Sequence, residues 1–153
     1  MTAPGNTSPR GCTNYKIRKL MRQVSQYYDT EIGRAGLKAT QFALLGQLAR
    51  LGPIRPGDLA QTMGMDASTL TRNLKPLTDA GLARTEQGTD ARSRSVTITD
   101  AGHQKWAEAR EYWKVAQGHI NNVLGADRVI ALHKLLDESL ELLAHPTDEV
   151  TSP

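Results

Sequence analysis

The sequence predicts a mainly α-helical fold with a small β-hairpin wing: a winged helix-turn-helix lobe with further helices before and after it. Three observations predict it. Apolar residues recur at three- and four-residue steps through most of the chain, the period of amphipathic helices. A short helical segment, a glycine turn and a second helical segment follow one another over 56–81. The period then drops to two around Val96 and Ile98, after the polar turn G-T-D-A-R-S-R.

The elements follow in order. Residues 1–13 hold Pro, Gly, Ser and Thr without periodicity and read as a flexible arm. Ile17, Leu20, Met21, Val24, Tyr27, Tyr28 and Ile32 form one stripe on a first helix over 14–32, ended by Gly33 and Gly36. Thr40 is the expected N-cap of a second helix over 41–51, with Phe42, Leu45 and Leu48 inward and Gly52-Pro53 as its stop. Ile54 has room to pair briefly as a strand. Pro56 opens a short third helix to Met63, and Gly64 makes the turn. Asp66 is the expected N-cap of a fourth helix over 67–80, closed by Gly81. Strands are expected over 82–86 and 95–98. A fifth helix starts at Thr99-Asp100, where Trp106, Ala109, Trp113, Ala116, Ile120 and Val123 repeat nearer 3.5 than 3.6, the spacing of a helix packed along another. Gly125 breaks it. A sixth helix over 127–144 carries Val129, Leu132, Leu136, Leu140 and Leu143 on one side, and a disordered tail is expected over 146–153.

Composition narrows the function. With 153 residues, 39% apolar and 23% charged, the chain suits one globular unit with a real core. No apolar run nears the roughly 20 residues that span a bilayer, and the first residues lack a signal-type hydrophobic region. The expected location is the cytoplasm, with no membrane partner. The single cysteine, Cys12, permits neither an internal disulfide nor a cysteine-based zinc site. Net charge is +3, but residues 1–50 carry eight Lys/Arg against two Asp/Glu, and residues 127–153 carry two against six. That polarity suits an anionic partner, although scattered solvated helix charges meet it equally well. Phosphate-cradling glycine loops, G-x-S-x-G and H-E-x-x-H are all missing, so no enzyme, cofactor or metal is expected. His103, His119, His133 and His145 are too dispersed for a local metal motif.

The fourth helix carries the functional pattern. At about 100° per residue, Leu70, Leu74 and Leu77 share an inward face. Ser68, Arg72, Lys75 and Asp79 fall opposite, with Thr69, Thr71 and Asn73 on the flanks. Short hydroxyls and amides reach base edges in a major groove, and Arg and Lys read guanine or bind phosphate. An ordinary surface helix shows the same amphipathic pattern; the order helix, turn, helix, basic hairpin separates the two. Pro76 removes the amide that would bond the Arg72 carbonyl, so a kink is expected there.

The run T-L-T-R-N-L-K-P-L followed by G-L-A-R-T-E-Q-G-T-D-A-R-S-R-S-V-T-I-T-D-A-G resembles the MarR family of winged-helix regulators. Asp90, Arg92, Thr99 and Gly102 stand where that family places its wing turn and the opening of the next helix, and the resemblance spans about residues 14–145. It implies a transcription regulator, commonly a repressor. It further implies a homodimer joined through 14–33 and 103–145, with a lobe over 34–102 that binds a pseudo-palindromic double-stranded DNA operator. In that arrangement Arg92 reaches the minor groove or its phosphates, Asp90 orients it, and Arg94 adds a backbone contact. Two residues depart from the pattern: Ala91, where a further arginine is common, and Arg55, where a Ser or Thr cap is usual. The resemblance also implies release by a small aromatic or phenolic effector, or by an oxidant. Tyr15, Tyr27, Tyr28, Trp106, Tyr112 and Trp113 are candidates to line an effector crevice between the dimer helices and the winged-helix lobe, although the spacing of the tryptophans and most of the tyrosines fits interface core better. Cys12, near Lys16, Arg18 and Lys19, is the candidate redox residue, though its register against Tyr28 differs from that of peroxide-sensing relatives. A winged-helix adaptor that binds protein and not DNA is the competing reading.

Overall fold

The computed structural model describes residues 9–88, 90 and 93–145. Residues 1–8 of the expected arm, Arg92 in the wing turn and the expected tail at 146–153 lie outside the described residues. The chain divides into two units, residues 1–114 and residues 115–153. The helix α5 (Asp100–Leu124) runs through the boundary.

In the first unit, α1 (Thr13–Ile32) opens at Cys12 and ends where the chain makes a single 3-10 turn, Gly33–Ala35. Gly36 follows at φ 76°, a left-handed conformation that explains glycine there. The helix α2 (Ala39–Leu51) starts earlier than its sequence suggests, because its cap comes from elsewhere in the fold. The Asp29 carboxylate on α1 accepts from the Ala39 amide at 2.9 Å, and the Gln41 side-chain oxygen accepts from the Lys38 amide at 2.9 Å. Thr40 is therefore inside the first turn of α2 and is not its cap.

Next come α3 (Pro56–Thr62) and α4 (Ala67–Asp79), joined through Gly64 at φ 63°. Helix α4 stays helical on both sides of Pro76. The hairpin pairs β1 (Ala83–Gln87) with β2 (Arg94–Ile98) antiparallel, with Ala83 opposite Ile98 and Gln87 opposite Arg94. Ile54 adds a short third edge, exchanging both backbone hydrogen bonds with Val96 at 3.1 and 2.8 Å. One core unites these pieces: Ile32, Leu44, Leu45, Leu48, Leu59, Leu70, Leu77 and Val96 are buried in it. Each side chain of that size contributes about 1.5–3 kcal/mol when withdrawn from water.

Gly102, in the first turn of α5, lies directly against the Leu82 carbonyl, and a Cβ there would overlap it. The Thr99 hydroxyl donates to the Gly81 carbonyl at 2.6 Å and accepts from the Gly102 amide at 3.0 Å. This tie joins the end of α4 to the start of α5 across the hairpin.

In the second unit, the end of α5 turns at Gly125 (φ 83°) into α6 (Ala126–Ala144). Ala116, Ile120 and Val129 are its buried residues. Most of the apolar residues of α6 face water in the single chain: Leu140 is 67% exposed and Leu143 78%. Among the described residues no helix is long and apolar enough to cross a membrane.

Candidate functional site

The outward face of α4 is built from its N-cap upward. The carboxylate of Asp66 accepts from the Thr69 amide at 2.7 Å and from the Ser68 hydroxyl at 2.7 Å. The Thr69 amide first, then the Ser68 hydroxyl, stabilise the carboxylate and lower its pKa to about 2 from 3.8. Asp66 thus satisfies one of the unpaired amides of the helix start and fixes the Ser68 side chain. The Thr71 hydroxyl donates to the Ala67 carbonyl at 2.9 Å, and the Asn73 amide to the Thr69 carbonyl at 2.9 Å. Arg72 reaches back to the Thr69 hydroxyl at 3.3 Å, and Lys75 forms a 2.6 Å ion pair with Asp79. Hydroxyl groups held this way retain free acceptor positions toward an incoming donor.

Sequence reading placed this helix correctly. Leu70, Leu74 and Leu77 are buried, Ser68, Thr71, Arg72 and Lys75 are exposed, and Thr69 and Asn73 are half-buried. The hairpin stands beside it. Thr71, Lys75 and Thr78 of α4 and Thr85 and Arg94 of the strands line a shared groove of about 250 Å³. The wing turn is closed by bonds from the Gly88 amide to the Ser93 carbonyl at 2.9 Å and from the Ser93 hydroxyl to the Asp90 carbonyl at 2.9 Å. Arg94 is exposed. Of the expected Asp90–Arg92 pair, Arg92 lies outside the described residues.

A second concavity brings the expected crevice residues Trp106 and Trp113 together with residues that sequence reasoning did not connect to them. Phe42, Gly46 and Arg50, spaced by four along α2, face Trp106, Arg110 and Trp113 of α5 across a cavity of about 460 Å³. Phe42 stacks with Trp106 (centroids 6.2 Å apart, planes 17°) and with Trp113 (6.4 Å, 22°). The Arg110 guanidinium lies 5.7 Å from the Trp106 ring, and Arg50 donates to Gln47 at 2.8 Å. Trp106 Nε1 is buried without a hydrogen-bond partner, packed against Gly46. The helical steps, four and four on α2 and four and three on α5, were the available signal, hidden because it joins residues about sixty positions apart. None of the four candidate tyrosines lines this cavity. Tyr15 and Tyr27 are exposed, while Tyr28 and Tyr112 pack against the core, and burial raises the Tyr28 pKa. Cys12 is an exposed free thiol at the N-cap of α1. Among the described residues no group of three or more His, Cys, Asp or Glu side chains could hold a metal ion.

Comparison with known proteins matches this geometry. Residues 35–93 fit the sequence model of the MarR family. The HTH-type transcriptional regulator YxaD of Bacillus subtilis (strain 168) is 30% identical over 100 residues, 65% of this chain and 70% of that protein. The transcriptional regulator MosR of M. tuberculosis, solved in complex with DNA, is 30% identical with a TM-score of 0.70, covering 85% of this chain and 98% of MosR. A mutant of MarR from E. coli complexed with operator DNA shares the fold at 22% identity and a TM-score of 0.76, over 83% of this chain and 92% of its own.

Proposed function

The chain belongs to the MarR family, and from that premise we propose that it is a sequence-specific, double-stranded-DNA-binding transcription repressor. One observation carries the reading: α4 buries Leu70, Leu74 and Leu77 and turns Ser68, Thr71, Arg72 and Lys75 to solvent beside a hairpin bearing Arg94. Helix α4 enters the major groove. Ser68, Thr69, Thr71 and Asn73 meet base edges, Arg72 reads guanine or holds phosphate, and Lys75 holds phosphate. Asp90, Arg92 and Arg94 belong to a wing that follows the neighbouring backbone or minor groove. The complex of MosR with DNA supports this assignment.

The operator is pseudo-palindromic because the protein acts as a homodimer. Large apolar side chains left exposed on α1 (Ile17, Met21) and on α6 (Leu140, Leu143) support a second copy as their cover.

Release of DNA by an aromatic or phenolic effector is supported by the cavity between α2 and α5. Its stacked rings offer an apolar slot, and Arg50 and Arg110, neither in an ion pair among the described residues, offer charge to a carboxylate or phenolate. Titration with benzoate should quench tryptophan fluorescence and weaken DNA binding, and Arg110→Ala should blunt both effects.

Binding to the promoter region of its own gene, followed by fluorescence anisotropy across a salt series, tests the main reading. A steep fall of log K with log salt is expected, and Arg94→Ala should reduce that slope by about one unit. Weak, salt-independent binding would instead favour an adaptor for another protein.

A further inference from the structure

Lys75 and Asp79 form an ion pair that stability does not explain. Both side chains are largely exposed, at 70% and 61%, and exposed pairs contribute little. The order is the poorer one, with the cation on the N-terminal side of the acid. Asp79 is also the last residue of α4, where the unpaired carbonyls make the negative pole of the helix; no basic residue occupies that turn. A carboxylate here works against its own helix. Local conflicts of this kind mark positions shaped by something other than folding.

Its neighbours indicate what that is. Lys75 lines the groove between α4 and the hairpin together with Thr71, Thr78, Thr85 and Arg94. Arg72, on the same helix face but outside the groove lining, is hydrogen-bonded to the Thr69 hydroxyl and adds the smallest of the effects that stabilise the Asp66 carboxylate, and Arg94 forms no ion pair among the described residues. Of these three cations, Lys75 alone forms an ion pair among the described residues, at 2.6 Å. A phosphate can claim Lys75 only by displacing Asp79, and the displaced carboxylate then stands one helical turn from a polyanion.

We propose that Asp79 is an affinity-tempering residue that holds Lys75 back and so weakens binding to DNA irrespective of sequence. Non-specific binding consists almost wholly of phosphate contacts, whereas operator binding adds base contacts that Asp79 does not oppose. Because a phosphate contact is made whatever the sequence, suppressing one lowers both affinities by about the same factor. This inference rests on the DNA-binding reading.

The test uses two duplexes in anisotropy titrations between about 50 and 200 mM salt. One is a site selected from a random pool by the wild-type protein, the other a scramble of it. Asp79→Asn should tighten the scramble and the selected site by about the same factor, roughly threefold, and steepen the salt slope by about one unit. The gain should vanish in Lys75→Ala/Asp79→Asn compared with Lys75→Ala, and Asp79→Glu, which can still reach Lys75, should behave as wild type. Thermal unfolding of Asp79→Asn should match or exceed wild type, since the charge opposing the helix is gone. If Asp79→Asn binds both duplexes like wild type, or gains as much without Lys75, the inference is overturned while the DNA reading stands. If the wild type selects no site and binds without salt dependence, the DNA reading itself is overturned.

Discussion

Asp66 joins the stability of α4 to the shape of its proposed recognition face. Its carboxylate stabilises the start of α4 and orients Ser68 in the same act. Because its pKa is depressed in the folded state, the stabilisation is fully present above 3.8 and is lost as pH falls through about 2. Circular-dichroism melts across that interval should show the wild-type Tm falling further than that of Asp66→Asn, which does not titrate there. Gly102 acts at the same scale through what it lacks. A methyl group would overlap the Leu82 carbonyl, a backbone atom that cannot step aside. Gly102→Ala should destabilise the protein by about 3 kcal/mol or more in urea titrations. The cap was legible as an Asp before an amphipathic run. The need for glycine at 102 was legible only through family resemblance, since the atom that excludes a side chain lies twenty residues away.

At the scale of elements, α4 packs with one face and carries the proposed DNA contacts on the other. Its buried leucines fix its position against the core, so truncation there disturbs the outer face indirectly. Leu77→Ala should lose about 2–5 kcal/mol of stability by urea denaturation. Because Leu77 touches no DNA in the proposed arrangement, affinity measured well below the unfolding midpoint should change far less than stability. The start of α2 teaches the reverse lesson. Thr40 has the chemistry of a cap, yet the Asp29 carboxylate on α1 reaches the Ala39 amide and moves the start of the helix forward. Local propensity lost to a tertiary hydrogen bond, which no window along the chain contains. Pro76 is the other tension in this element: α4 continues to Asp79 although the Arg72 carbonyl lacks its usual partner, because Leu74 and Leu77 anchor both sides of the gap.

At the scale of the whole molecule, the proposed homodimer gives the exposed leucines of α6 a cover. Leu140→Glu should convert the protein to a monomer in size-exclusion chromatography with light scattering, with its secondary structure intact by circular dichroism. Losing the second half of a bivalent contact should cost operator affinity on the order of 100-fold or more. A protein that stayed dimeric in that variant would place the dimer contact elsewhere.

The order of elements, the inward leucines and outward polar residues of α4, and the hairpin were all set by local chemistry. Helical and extended periods, glycine turns and the Asp66 cap each act within a few residues, so a linear reading suffices for them. The fold alone decided which distant residues meet: Asp29 with Ala39, Gly102 with Leu82, Phe42 with Trp106 and Trp113. Those pairings depend on how packed helices bring separate stretches together, and the distance between two side chains in space is not a function of their spacing along the chain.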